Sequence, residues 1–160
     1  MVKKINLNNS TDPWVAGMVD GKWGFVNSVT GGLIPAIYDS VWSFSNGFAR
    51  VKVDNKVGVI KSDGSFLIEP IFDAIWPFHN GIAKVNIGGA LVNGRFFGGK
   101  YGYIKTNGSY LTEVIFDRGN EFKSNFVEVI NGGELNKDGS YNSGGKKGII
   151  DMDGKITWLN

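Results

Sequence analysis

The chain has no cysteine, one histidine and four prolines in 160 residues, and no uncharged apolar run of 18. Without cysteine there is neither a disulfide frame nor a thiolate metal site. The one histidine, His79, would need helpers for a metal or catalytic role, and neither a second histidine nor a G-x-S-x-G serine supplies them. No stretch is long and apolar enough for a helical membrane span. The start, Met1 to Asn9, has basic residues but no apolar segment behind them, unlike an export signal. The expectation is a soluble, cytoplasmic chain without a membrane partner. An excess of one charge is also lacking, since 17 Lys and Arg face 15 Asp and Glu. Basic residues cluster only as pairs, Lys3-Lys4 and Lys146-Lys147, whereas nucleic acid calls for a basic stripe. Nucleic acid is therefore not an expected partner.

Glycine is abundant, with 24 copies and no G-X-Y period, which points to turns rather than collagen. A short phrase returns four times, as Gly21-Lys22-Trp23-Gly24, Asn55-Lys56-Val57-Gly58, Gly99-Lys100-Tyr101-Gly102 and Gly145-Lys146-Lys147-Gly148. The final glycines are 34, 44 and 46 residues apart, within the period range of repeat proteins. Each is followed by an apolar pair: Phe25-Val26, Val59-Ile60, Tyr103-Ile104 and Ile149-Ile150. A turn comes next, with Asp63-Gly64, Asn107-Gly108 and Asp153-Gly154 as hairpin signals, and a returning strand that Pro35 and Pro70 terminate in the first two units. Before the phrase runs a strand of period two, such as Ala49-Arg50-Val51-Lys52-Val53 or Ala83-Lys84-Val85-Asn86-Ile87.

These signals predict an all-β fold of four tandem three-stranded antiparallel meanders at about 14–36, 48–70, 82–114 and 126–159, packed as one repeat domain over residues 1–160. One meander alone is marginal in water, so the four must share apolar surface. No stretch of 11 or more residues keeps a helical period free of Gly and Pro. The period leaves open whether the units form an open array or a closed ring. It also leaves the oligomeric state open; unpaired edges can be covered by a second copy or by the Met1–Asp12 arm.

A residue that recurs once per unit belongs to the scaffold. Trp23, Gly24, Gly58, Gly102 and Gly148 are assigned there, and Lys100 with them. Asp39, Asp73 and Asp117 recur beside an aromatic residue, too dispersed for a metal or acid–base site, and read as acceptors that fix the linker turns. Gly98-Gly99-Lys100 lacks the remainder of a phosphate loop. His79 reads as a partly exposed linker residue. Trp42 and Trp76 are equivalent, as are Phe44, Phe78 and Phe122, which favours packing over ligand stacking. The departures from symmetry are two long insertions at one junction, residues 88–99 and 131–145. Per-repeat insertions commonly mark a binding face, and Arg95, Phe96, Phe97 and Tyr141 are anchor-type residues. The alternative is a pair of strands extended into longer hairpins whose rings pack on the body.

Gly21-Lys22-Trp23-Gly24-Phe25-Val26, the Pro35 to Asp39 stretch and Phe44-Ser45-Asn46-Gly47-Phe48-Ala49-Arg50-Val51 together resemble the WG-containing (KWG) repeat of bacterial proteins. Asn55 to Val85 gives a second close copy. The third has Asn125 where Gly is expected, and Trp keeps the name-giving position only at Trp23. The resemblance implies a β-rich repeat with no shared catalytic residues, cofactor or single ligand. The expected function is a non-enzymatic protein-interaction module, immunity- or inhibitor-like, with another protein as partner. The alternative is a glycan or cell-envelope binder using exposed aromatic residues.

Overall fold

Paired left-handed residues set the hairpins. Asp20 and Gly21 have φ of 49° and 81°, Asp54 and Asn55 47° and 64°, and Asn93 and Gly94 49° and 77°. Positive φ at both central residues makes a type I′ turn, whose twist matches the flanking strands, and Asp, Asn and Gly adopt it most readily.

The computed structural model describes residues 3–4, 12–134, 136 and 144–160. They form four antiparallel sheets of four strands, each in chain order. Sheet 1 holds β1 (Lys3–Lys4), β2 (Trp14–Val19), β3 (Lys22–Asn27) and β4 (Leu33–Tyr38). Sheet 2 holds β5 (Ser40–Val41), β6 (Phe48–Val53), β7 (Lys56–Lys61) and β8 (Phe66–Phe72). Sheet 3 holds β9 (Ala74–Ile75), β10 (Ile82–Val92), β11 (Arg95–Lys105) and β12 (Tyr110–Phe116). Sheet 4 holds β13 (Arg118–Gly119), β14 (Phe126–Asn131), β15 (Lys146–Asp151) and β16 (Ile156–Trp158). The chain divides into two compact units, Met1–Ile71 and Phe72–Asn160.

The all-β repeat of meanders is present, and the structure adds a fourth strand to each. Two residues of every linker pair with the following strand: Ser40 with Lys52, Ala74 with Asn86, and Arg118 with Ile130. In sheet 1 that place is taken by Lys3 and Lys4 of the arm, opposite Met18 and Gly17.

The repeated glycine sits where two backbones nearly touch. A Cβ on Gly24 would lie 2.5 Å from the Ile34 carbonyl oxygen, one on Gly58 2.6 Å from that of Ile68, and one on Gly102 2.7 Å from that of Glu113. The β3–β4 and β11–β12 ladders change register beside Gly24 and Gly102, so the crowding belongs to a bulge that only glycine fits. Gly148 instead lies under the Trp158 ring.

The residue after that glycine receives the next linker's phenylalanine. In the first unit Phe44 meets Phe25 edge-on, with centroids 4.9 Å apart; in the second, Phe122 meets Tyr103 edge-on at 5.2 Å. All four rings are buried, within cores that include Ile34, Tyr38 and Val51 in one unit and Phe116, Val129 and Ile150 in the other. The Tyr103 hydroxyl donates to the Asn120 carbonyl at 2.8 Å, and burial holds its pKa well above the usual phenol range.

Candidate functional site

The recurring lysines and aspartates form one structural device. Asp39 takes the Lys22 ammonium on Oδ1 and the Asp54 amide N–H on Oδ2, the latter at 2.8 Å. Asp117 does the same with Lys100 at 2.6 Å and Gly132 N–H at 2.6 Å, and Asp73 accepts Gly88 N–H at 2.7 Å. Each carboxylate therefore joins its linker to the junction before the repeated phrase, which aligns the two-residue outer strand. None of the three belongs to a metal-binding group, since no cluster of three or more His, Cys, Asp or Glu occurs among the described residues.

The hydrogen bond from Lys22, then that from the Asp54 amide, holds the Asp39 carboxyl below the usual aspartate range. Because the folded pKa is the lower one, this contribution is complete above the unfolded value and is lost as pH falls through the folded value. In urea unfolding, the stability difference between the wild-type protein and Asp39→Asn is expected to narrow as pH drops below about 4. A difference independent of pH would show that the carboxylate's charge is not what matters.

His79 places Nε2 3.0 Å from Glu121 Oε2, so it links two linkers of the second unit. Gly98 and Gly99, with φ of 72° and 69°, form part of a hairpin bend rather than a phosphate cradle.

That bend shapes the first insertion. Residues 88–99 extend β10 and β11 into one long hairpin, in register from Ile82 opposite Lys105 to Val92 opposite Arg95. Gly88, at φ 85°, bends one strand where Gly98 and Gly99 bend the other. Asn86, fully buried, clamps the corner: its Oδ1 accepts Gly89 N–H at 2.9 Å and its Nδ2 donates to the Gly98 carbonyl at 3.0 Å. The equivalent residues, Lys52 and Ile130, have no comparable amide. Asn86→Ala is expected to cost about 1–3 kcal/mol by stranding two polar groups. Amide exchange across 90–97 should accelerate relative to the rest of sheet 3; unchanged exchange there would mean the glycines alone hold the bend.

Beyond the bend the two faces of the hairpin differ. Phe96 stacks edge-on against Trp76 at 5.5 Å, so this anchor is committed to the body. Pairing puts Ala90 with Phe97 and Val92 with Arg95 on the opposite face. Ala90, Val92 and Arg95 are exposed and Phe97 is half-buried. Leu91, beside Phe96, is 70% exposed. Leu91 and Val92 were not among the sequence candidates, although their place beside the Asn93-Gly94 turn marks them as tip residues. The second insertion leaves sheet 4 after Asn131, and Tyr141 lies outside the described residues.

A family model of the WG-containing repeat matches residues 23–56, 58–89 and 101–134. The chain belongs to the WG-containing repeat family. No curated protein and no solved structure matches it. As a WG-repeat chain it is a non-enzymatic interaction scaffold. The crowded glycines Gly24, Gly58 and Gly102 all fall within matched segments, and residues 90–100, which carry the hairpin tip, fall between two of them. In this WG protein the tip is an addition to the matched repeats.

Proposed function

We propose that this WG-repeat chain is a protein-binding module of the inhibitor or immunity type, which inserts the β10–β11 tip into an apolar, acid-rimmed pocket of another protein. The observation that carries the reading is a well-registered hairpin, clamped at its base by Asn86, that holds Leu91 and Val92 exposed with Phe97 half-buried on the outer face. Ordering the tip before contact lowers the entropy cost of binding. Arg95 is the only charged residue between Lys84 and Lys100, so an acidic rim complements it. The 131–145 insertion, at the equivalent junction of sheet 4, is the second arm of this proposal.

A glycan surface is less favoured because the rings of the equivalent Trp42 and Trp76 already have cationic partners. The Arg50 guanidinium lies 4.9 Å from the Trp42 ring centre and the Lys84 ammonium 4.1 Å from that of Trp76. The test is capture from native lysate by immobilised protein, with Val92→Ser/Phe97→Ser as the tip variant and Leu33→Ser as an exposed apolar control in the other unit. The partner should be lost with the tip variant and kept by the control. Equal recovery by all three would sink the tip as the binding element.

A further inference from the structure

Five Asn-Gly pairs occur in the chain, beginning at Asn46, Asn80, Asn93, Asn107 and Asn131. Asparagine is thermally labile, and before glycine most of all, because a backbone nitrogen unhindered by a neighbouring side chain can attack the asparagine side-chain carbonyl carbon. The fold sets the five pairs apart. Asn46, Asn80 and Asn93 are left-handed, with φ of 52°, 50° and 49°, and the narrow ψ range of that region turns Cβ away from the following nitrogen. Asn107 points its Oδ1 at the Ser109 N–H, 3.0 Å away, and at the Ser109 hydroxyl, 2.7 Å away.

Asn131, the last residue of β14, lies differently: its Oδ1 accepts the N–H of its own glycine, Gly132, at 3.1 Å. The Gly132 nitrogen is also 2.6 Å from Asp117 Oδ2, and Lys100 fixes that carboxylate through Oδ1 at 2.6 Å. A side-chain amide and a carboxylate therefore meet on one backbone N–H. Gly47 N–H has a carboxylate too, Asp12 at 3.1 Å, but there the left-handed Asn46 is turned away. The aspartates that match Asp117, Asp39 and Asp73, reach Asp54 and Gly88, which follow Val53 and Ile87 and have no amide side chain before them.

We propose that Asn131–Gly132 is a self-modifying site, converted to aspartate and isoaspartate with Asp117 as the base. Asp117 Oδ2 takes the amide proton, and the Gly132 nitrogen forms a bond to Asn131 Cγ. Return of that proton to the side-chain nitrogen breaks the Cγ–Nδ2 bond, releases ammonia and leaves a cyclic imide. Water then opens the imide at Cγ, which gives aspartate, or at the former backbone carbonyl carbon, which gives isoaspartate. The net change consumes water, releases ammonia and needs no oxidant or reductant. Asn131 is half-buried and Gly132 exposed, so water reaches the ring. Either product puts a new carboxylate beside Asp117 and opposite Lys146. Isoaspartate also lengthens the main chain by a methylene where the 131–145 insertion leaves sheet 4, so the root of that insertion changes with time.

The site is independent of the hairpin tip. Freshly purified full chain is held at neutral pH, and all five pairs are followed by peptide mapping with mass spectrometry that resolves aspartate from isoaspartate. Asn131 should convert on the order of tenfold faster than Asn93 or Asn107, with isoaspartate among its products. In urea above the unfolding midpoint Asn131 should slow, because the carboxylate is no longer placed, while Asn93 and Asn107 accelerate. Asp117→Asn, its fold checked by circular dichroism, should bring Asn131 down to its rate in urea. The urea comparison uses the natural chain, so it decides the matter even where that variant fails to fold. Conversion of Asn131 no faster than that of Asn93, aspartate without isoaspartate, acceleration of Asn131 by urea, or an undiminished rate in folded Asp117→Asn would overturn the proposal.

Discussion

Gly24→Ala is expected to lower the stability of the first unit by about 3 kcal/mol, the upper end of ordinary overpacking costs. The added methyl would lie 2.5 Å from the Ile34 carbonyl oxygen and 2.7 Å from the Ala36 nitrogen, inside a bulged ladder. Both obstacles are backbone atoms, so no rotamer change relieves them, and β3 must separate from β4. At about 4–8 °C per kcal/mol for a domain of this size, the midpoint should fall by roughly 12–24 °C. Gly21→Ala is the comparison, since Gly21 has φ of 81° but nothing within 4 Å of its added methyl. It should cost only about 1–2 kcal/mol, the price of the left-handed conformation. Thermal unfolding followed by circular dichroism separates the two. Equal losses would show that crowding is not what selects glycine in the Trp-Gly phrase.

Phe122→Ala is expected to cost the second unit about 3–5 kcal/mol, as for other large buried rings. Phe122 is 1% exposed and meets Tyr103 edge-on, and the segment before it lies under Lys84 and Tyr103. Removing the ring opens a cavity and loosens the linker that supplies β13. Trp42→Ala removes a larger side chain that is 36% exposed and touches Arg50, so its loss should be nearer about 1 kcal/mol. Urea midpoints for both variants decide the matter. A larger loss for Trp42→Ala would mean that the linker phenylalanine does not lock a sheet to its neighbour within a unit.

The parts of the fold legible in the sequence were those with local causes. Asp20-Gly21 and Asn93-Gly94 announce tight turns because few residues adopt positive φ. Alternation over Ala49–Val53 and Ala83–Ile87 announces strands because Ala49 and Val51, and Ala83 and Val85, are buried side by side on one face of each. The two-residue strands β5, β9 and β13 were not legible. Their pairing depends on Asp39, Asp73 and Asp117 reaching an amide 15 residues later, a contact with no local signature. At the candidate site, the sequence named Arg95, Phe96 and Phe97 but not their division between two faces. Hairpin register assigns Phe96 to Trp76 and Phe97 to the outer face, and Asn86 holds the corner from outside the insertion.

The sequence by itself determined the all-β class, the repeated phrase and the family, because turn chemistry and strand alternation act between neighbours along the chain. The tertiary structure decided why the phrase needs its glycine, where the aspartates bind, and which side chains remain exposed. Those outcomes depend on close approach between segments 10 to 42 residues apart, such as Gly24 with Ile34 and His79 with Glu121. Composition and period constrain such distances only loosely. Packing sets them, and it leaves the tip of β10–β11 as the surface where this repeat protein departs from its own pattern.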